Sequence, residues 1–417
     1  MKLKNLSIFE FDKFAKDHPL GSYHQTSNYA LLASEQGYEY DLLGFVDDNG
    51  TIHAASLILS KKLGMFTRYG YAPKGFLIDY YNQKLLTDFT KALTKYYYKK
   101  NFAFIKINPE IAIGTINHKE KRIIYNQNQI IDNTLRALNF RKLEGAKHFE
   151  TKIPQFNAVQ ILKNTNLRTI NKNTRNKINK GIKNGLTLIK GERNDIEILY
   201  EFIKNKVTHP INHYYNYYNA FSRDNSIDIF LVKIDFEQCL INLRQKYEEE
   251  LEKNNLIVKK VMSNPNENNL RRKLSSDNAL NTYRENIAIA TRHLAMNKTA
   301  YIAGAITIKY KNRVYILISG YNPQFKKFCP NYFLHYKLIE YYKKEYDFLD
   351  LNGITGDFNG TNPYKGLDEF KLGFNPLAFE YIGEYDFIIN DGLYKSMDQS
   401  GQLAKEFKRK EKSINQN

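Results

Sequence analysis

The chain has no tryptophan, ten prolines and only two cysteines, Cys239 and Cys329, in 417 residues. Two cysteines so far apart exclude a disulfide framework and fit a reducing compartment. No unbroken apolar run reaches the roughly eighteen residues that a membrane-spanning helix needs. Met1-Lys2-Leu3-Lys4-Asn5 is not followed by a continuous apolar stretch, so no signal peptide is expected. The Gly-x-Ser-x-Gly elbow, the Walker A loop and the Gly-x-Gly-x-x-Gly fingerprint are all missing, which removes three common chemistries. The nine histidines lack ligand spacing, and no metal is expected. Acid is also scarce: 44 acidic residues face 62 basic ones, a formal charge of +18, and none lies between Thr151 and Gly191. Such an excess favours a polyanionic partner, nucleic acid or an anionic membrane surface.

What is present suits a folded protein of two domains, with 42% hydrophobic and 14% aromatic residues. Tyr40 to Val46 and Thr51 to Ser60 alternate around Asp47-Asp48-Asn49-Gly50, which predicts a hairpin. A helix over about Asn82 to Lys99 and a buried strand, Phe102 to Asn108, closed by Pro109, follow. Gly70-Tyr71-Ala72-Pro73, helix and Phe104-Ile105-Lys106-Ile107-Asn108-Pro109 recur as Gly320-Tyr321-Asn322-Pro323, helix and Phe348-Leu349-Asp350-Leu351-Asn352-Gly353. Short as the match is, it points to duplication of one α/β unit with a mixed sheet.

Within the acid-free stretch, Arg168, Lys172, Arg175, Lys177, Lys180 and Lys183 fall at helical spacing before Gly185. A solvated face is the plain reading, but solvated faces usually mix signs for i,i+4 pairing, whereas an unrelieved basic helix suits phosphates. The cluster His213-Tyr214-Tyr215-Asn216-Tyr217-Tyr218 reads mostly as helix packing. From Asp235 to Lys298, Phe236, Leu240, Leu243, Tyr247 and Leu251 step by three and four, as do Leu270 and Leu274, then Leu280, Tyr283, Ile287 and Leu294. Asn264-Pro265-Asn266 interrupts them, predicting an antiparallel coiled-coil arm with its apolar stripe turned inward. Tyr301 to Tyr310 with Arg313 to Ser319 predicts a hairpin, Asn331 to Glu345 a helix, and Ala404 to Asn417 a charged, frayed tail.

The stretch Tyr346 to Asp386 is the most specific. A short strand, Asp347 to Leu351, runs into a loop with Gly353, Gly356 and Gly360. Next come Gly366-Leu367-Asp368-Glu369-Phe370-Lys371, the pair Gly373-Phe374, and a strand Phe379-Glu380-Tyr381-Ile382-Gly383-Glu384-Tyr385-Asp386 with Gly383 as a bulge or close-approach point. Taken alone, Lys371 is also what an exposed β-α-β corner would carry. In order, these blocks resemble the C-terminal signature of the Fem (FemABX) family, bacterial transferases that move an amino acid from aminoacyl-tRNA onto a cell-wall precursor. Tyr71 to Gly75 and Lys106 to Pro109 are similar to its Tyr-x-Pro and Asn/Asp-Pro blocks.

The resemblance implies an α/β fold of two GNAT-like (acetyltransferase-like) domains plus the helical arm. It divides the chain into 1–150, 151–234 with the basic helix, the arm 235–298, 299–390 and a tail 391–417. It implies aminoacyl transfer to the stem peptide of lipid II or a UDP-muropeptide, with aminoacyl-tRNA as co-substrate and no cofactor. The setting would be the cytoplasm, at the inner face of the membrane, with a homodimer or a heterodimer with related transferases open. Lys371 matches the lysine of the Phe-Lys block, with Phe370 and Tyr315 beside the reaction. Arg68, Tyr71, Lys74, His213 and Tyr217 would bind the precursor, and the basic helix the tRNA. His213 stands where the family has a phosphate-binding arginine, and Asn108 where some members have aspartate. No pyrophosphate-binding turn of CoA-dependent GNAT enzymes precedes either crossover helix. A CoA-dependent acyltransferase and a non-catalytic RNA- or membrane-binding relative stay open as alternatives.

The charge pattern yields a test. Replacing Arg175, Lys177 and Lys180 with Gln is expected to weaken tRNA binding and to flatten its salt dependence by about one unit of log–log slope per lost phosphate contact. An unchanged slope in filter-binding titrations would remove this helix from the RNA interface.

Overall fold

The computed structural model describes residues 1–64, 67–117, 120–357 and 361–407. Gly360 of the expected glycine loop and residues 408–417 of the expected tail lie outside the described residues.

Two mixed sheets carry the fold. The first runs β1 (Lys2–Asn5), β2 (Glu39–Val46), β3 (Ile52–Lys62), β4 (Arg68–Ala72), β5 (Phe102–Ile107), β16 (Tyr385–Ile388) and β8 (Phe140–Lys142). The second runs β10 (Thr187–Gly191), β11 (Ile227–Asp235), β12 (Thr299–Tyr310), β13 (Arg313–Tyr321), β14 (Phe348–Ile354), β9 (Phe156–Ile161), β15 (Leu377–Tyr381), β6 (Ala112–Asn117) and β7 (Arg122–Tyr125). The blocks β1 to β5 and β10 to β14 have the same order and sense: three antiparallel pairings, then a parallel one.

Each parallel pair needs a crossover, and a helix supplies it. Between β4 and β5 lies the helix Gln83–Tyr98, which buries Leu86, Phe89, Leu93 and Tyr97 at helical spacing. The Asn82 side chain opens it by accepting the Leu85 N–H at 3.0 Å. Between β13 and β14 lies Pro330–Tyr342, with Phe333, Leu334, Leu338 and Ile339 buried. All six residues of β5 are buried, which its continuous apolar run requires of a strand covered on both faces. The repeat in the sequence is therefore a repeat of strand, crossover and parallel strand.

The expected strand from Phe379 to Asp386 is two strands in different sheets. β15 pairs with β9 and β6 in the second sheet, and β16 with β5 and β8 in the first. Gly383, between them at φ +95°, takes a backbone conformation that L side chains rarely adopt and turns the chain from one sheet to the other.

From the second sheet projects a hairpin of two 28-residue helices, Phe236–Ser263 and Glu267–Leu294. Its base is rooted in the core: Phe236, Cys239, Leu240, Leu243 and Ala290 cluster with Phe325 and Phe328. Farther out the interface turns polar, with Asn254 donating to Asp277 at 2.8 Å and Ser276 to Glu250 at 2.6 Å. Leu270 and Leu274, expected on the inner stripe, are instead 48% and 62% exposed. Buried Ser276 takes the inward position, and a residue two places earlier points about 200° away from it.

That anchoring gives a stability prediction. Phe236→Ala is expected to cost roughly 3–5 kcal/mol in denaturant unfolding, as for a fully buried aromatic. Replacing only Glu248 to Tyr283 with a Gly-Ser turn should leave the midpoint of the two-sheet body nearly unchanged. Equal damage from both changes would mean that the outer hairpin is also part of the core.

Candidate functional site

A cavity of about 360 Å³ opens where the two sheets meet, lined from the first by Tyr71 and Lys74 and from the second by Tyr315, Asp350 and Asn352. Tyr71 is on β4, while Lys74 and Glu110 follow the carboxyl ends of β4 and β5, the usual place for a ligand in an α/β sheet. Asn108 fixes this rim: its Oδ1 accepts the Lys74 N–H at 2.8 Å, and its Nδ2 donates to the Tyr71 hydroxyl at 3.2 Å. An amide at this position thus shapes the loop, and Lys74 is held at φ +55°.

Charges meet in the cavity wall. Glu110 pairs with Lys74 at 3.4 Å and with Arg313, and accepts the Tyr381 hydroxyl at 3.2 Å. Arg313 also lies 3.8 Å from Asp350, which accepts two bonds from Asn157 Nδ2 at 2.9 and 3.0 Å. Burial alone would raise the Glu110 pKa, but Lys74 and Arg313 outweigh it and hold the carboxyl at about 2. Burial wins at Asp350 and raises its pKa, against the pull of Arg313. His24, half-buried beside Lys74, is pushed down to about 3, first by loss of solvent and then by that charge.

His213 and Tyr217 line the same cavity from the helix Ile211–Phe221. His213 stacks on His209 with centroids 4.0 Å apart, and its Nδ1 lies 3.3 Å from Gln36 Nε2. Burial, then His209, lowers its pKa to about 4, so it is neutral at neutral pH. Tyr315 packs edge-on to Tyr23 with centroids 4.9 Å apart.

Lys371 does not line this cavity. It lies on the helix Lys365–Leu372, and its Nζ donates to the Gly353 carbonyl at 2.6 Å, just behind the wall made by Asp350 and Asn352. Burial lowers its pKa to about 8, against the attraction of Asp350 and Asp368. Phe370 faces the other way, edge-on to Tyr332 and His335 with centroids 4.9 and 4.8 Å apart. Arg68, expected beside Lys74, sits at the opposite end of β4, where it pairs with Glu39 at 2.5 Å and does not line the cavity.

The basic residues do occupy a helix, Lys172–Lys183, followed by Gly185 at φ +74°. Arg168, Lys172, Lys177 and Lys183 are exposed, while Arg175 and Lys180 are half-buried. The inner face of this helix meets the Phe-Lys block: the Asn171 N–H bonds to the Gly373 carbonyl at 3.2 Å, and Thr174 leaves no room for a Cβ at Gly373. Lys177 Nζ bonds to the Tyr332 hydroxyl at 2.9 Å, so Tyr332 touches the basic helix on one side and Phe370 on the other.

Nothing in the sequence around Glu110, Arg313 or His24 marks them as part of a site. Asp350 did leave a signal, being a lone acid inside the apolar run Phe348-Leu349-Asp350-Leu351.

The FemAB family model matches residues 6–400. A lipid II:glycine glycyltransferase of Staphylococcus aureus is 24% identical over 429 aligned residues, covering 96% of each chain. Its counterpart from Staphylococcus saprophyticus is 24% identical over 420, covering 95% of each. A crystal structure of FemX superposes with a TM-score of 0.72 at 22% identity, covering 96% of this chain and 100% of that one.

The charged wall has a pH signature. A carboxyl held at about 2 contributes stability that is present above its unfolded pKa, near 4.3, and is lost as pH falls through about 2. Arg313→Met leaves Glu110 with Lys74 as its one ion-pair partner in the wall, beside the Tyr381 hydroxyl. It is expected to cost ~3–5 kcal/mol near neutrality and to move acid unfolding, followed by circular dichroism, to higher pH. An unshifted acid midpoint would show that Arg313 does not hold the Glu110 charge.

Proposed function

The chain belongs to the FemAB family, and on that footing we propose that it is an aminoacyltransferase moving an amino acid from aminoacyl-tRNA onto the stem peptide of a peptidoglycan precursor. The glycyltransferase relatives support the acceptor class, lipid II or a UDP-linked equivalent. The work would be done at the cytoplasmic face of the membrane, by one chain, a homodimer or a heterodimer with a related transferase. We read the two five-strand blocks as GNAT-like units and the hairpin 235–298 as the family's coiled-coil arm.

The observation that carries the reading is the position of Lys371. Its ammonium bonds to Gly353 between the wall of the cavity and the Phe370–Tyr332–Lys177 contact that leads to the basic helix. An acceptor in the cavity and a tRNA along the helix would approach this lysine from two sides. In the reaction the acceptor amine attacks the ester carbonyl, the new C–N bond forms, and an oxyanion develops. The C–O bond to the ribose then breaks, and the leaving oxygen takes the proton shed by the amine. An amino-acid ester is already activated, so orientation and a cation near the oxyanion supply most of what is needed. Lys371, with a pKa of about 8, is mostly charged at neutral pH. Tyr71, Tyr315 and Tyr217 offer hydroxyls to the acceptor, and His213, being neutral, offers hydrogen bonds rather than charge. Lys74 is engaged by Glu110, so the precursor would have to compete for it.

The test is transfer from charged tRNA to purified lipid II or UDP-muropeptide. Lys371→Met should fold but lose roughly 2.7–4 kcal/mol of transition-state stabilisation, on the order of a hundredfold or more in turnover. In the unmodified chain, turnover should fall as pH rises through about 8 and the cation is lost. The residual rate of the variant should lack that limb. Wild-type turnover in Lys371→Met, or no transfer from any charged tRNA, would overturn the proposal.

A further inference from the structure

The outer end of the helical hairpin carries an apolar surface that its own packing leaves uncovered. Leu256 is 61%, Met262 79%, Leu270 48% and Leu274 62% exposed, all close to the turn 264–266. Leu270 and Leu274 are one helical turn apart and share a face. Around them are Lys259, Lys260, Arg271, Arg272 and Lys273, with Glu267 as the single acid between Leu256 and Leu274. Arg271 and Lys273 are paired within their helix, to Glu267 at 2.5 Å and Asp277 at 2.6 Å, while Lys259, Lys260 and Arg272 are exposed.

We propose that this tip is a membrane-contact element that seats Met262, Leu270 and Leu274 among the acyl chains of an anionic lipid surface, with the flanking lysines and arginines on its headgroups. Exposed apolar side chains ringed by cations are the chemistry of an interfacial lipid contact. RNA would satisfy the cations but leave three large apolar side chains in water. Among the described residues no helix is long and apolar enough to cross a membrane. Helices of 28 residues, roughly 42 Å long, set the tip away from the two sheets. The inference goes beyond the transferase reading and does not depend on it.

The absence of tryptophan makes the test direct. Met262→Trp gives the full chain a single reporter at the tip. On vesicles containing phosphatidylglycerol its emission should shift to the blue and be quenched by brominated acyl chains. Pure phosphatidylcholine should produce neither change. Tyr98→Trp, at a site 57% exposed on the crossover helix of the first sheet, should stay unshifted, which separates insertion from simple attraction of a basic protein. Adding Leu270→Asp and Leu274→Asp to the Met262→Trp chain should abolish the blue shift without changing the far-ultraviolet circular dichroism. Lys259→Gln and Lys260→Gln should each weaken vesicle binding about fivefold. An unshifted tip reporter on anionic vesicles would overturn the proposal. So would equal quenching of the tip reporter and the Tyr98→Trp control, or a tip that responds to tRNA and not to vesicles. Transfer to a detergent-solubilised acceptor should be untouched by the tip variants, so a failed transferase reading and a failed membrane reading give different results.

Discussion

The two sheets meet through charges that have little water around them. Glu110, in the link from β5 of the first sheet to β6 of the second, joins Lys74 beyond β4 to Arg313 on β13, 203 residues from it in sequence, and each would be a costly isolated ion in that position. Once paired, with Lys74 and Asp350 completing the chain, they resist separation, because parting them strands a buried charge. The apolar contact between the halves, where Tyr23 and Leu32 pack with Leu199, Tyr217 and Ile306, is strong but not directional. It is the ion chain that fixes which surface of one sheet faces which surface of the other. The cavity between them is lined by Lys74, Glu110 and Asp350 together with apolar side chains such as Leu32, Leu59 and Ile316.

The same poorly solvated surroundings treat each titrating group differently. Glu110 has two cations within reach and is held ionised, while Asp350 is given mostly amide hydrogens and a more distant guanidinium, and its pKa rises. Lys371 has a carbonyl as its bonded partner and only indirect help from Asp350 and Asp368, so burial pulls it toward neutrality. Inside the cleft, charge is largely paired, whereas on the helix Lys172–Lys183 it is presented outward with no acid between Thr151 and Gly191. A polyanion could be gathered on that surface without disturbing the interior balance.

Local features were legible in the chain. The turn Asp47 to Gly50, the crossover helices, the basic helix ending at Gly185 and the break at Asn264-Pro265-Asn266 each follow from propensities acting over a few residues. The site was legible in part: Tyr71, Lys74, His213, Tyr217 and Tyr315 all line the cavity. Glu110 and Arg313 escaped because nothing near either residue in sequence announces a partner 203 residues away. Arg68 misled because neighbours along a strand can serve opposite ends of it. The outer hairpin misled because periodic leucines do not say which side of a helix is inner when Asn254 and Ser276 are available to fill the interface.

The turn at Gly383 makes the first sheet dependent on a segment made late. β8 has β16 as its partner, and the outer edge of β5 is likewise covered by β16. During synthesis from the amino end, β1 to β5 can assemble early, but β5 must wait with a free edge while more than half of the chain emerges. A waiting edge is a template for wrong pairing, within the chain or between nascent copies. The two halves are thus stitched rather than strung together. A stop codon just before Tyr385 would remove only the carboxyl-terminal end of the chain, yet it would strip β5 and β8 in the amino-terminal half of their partner.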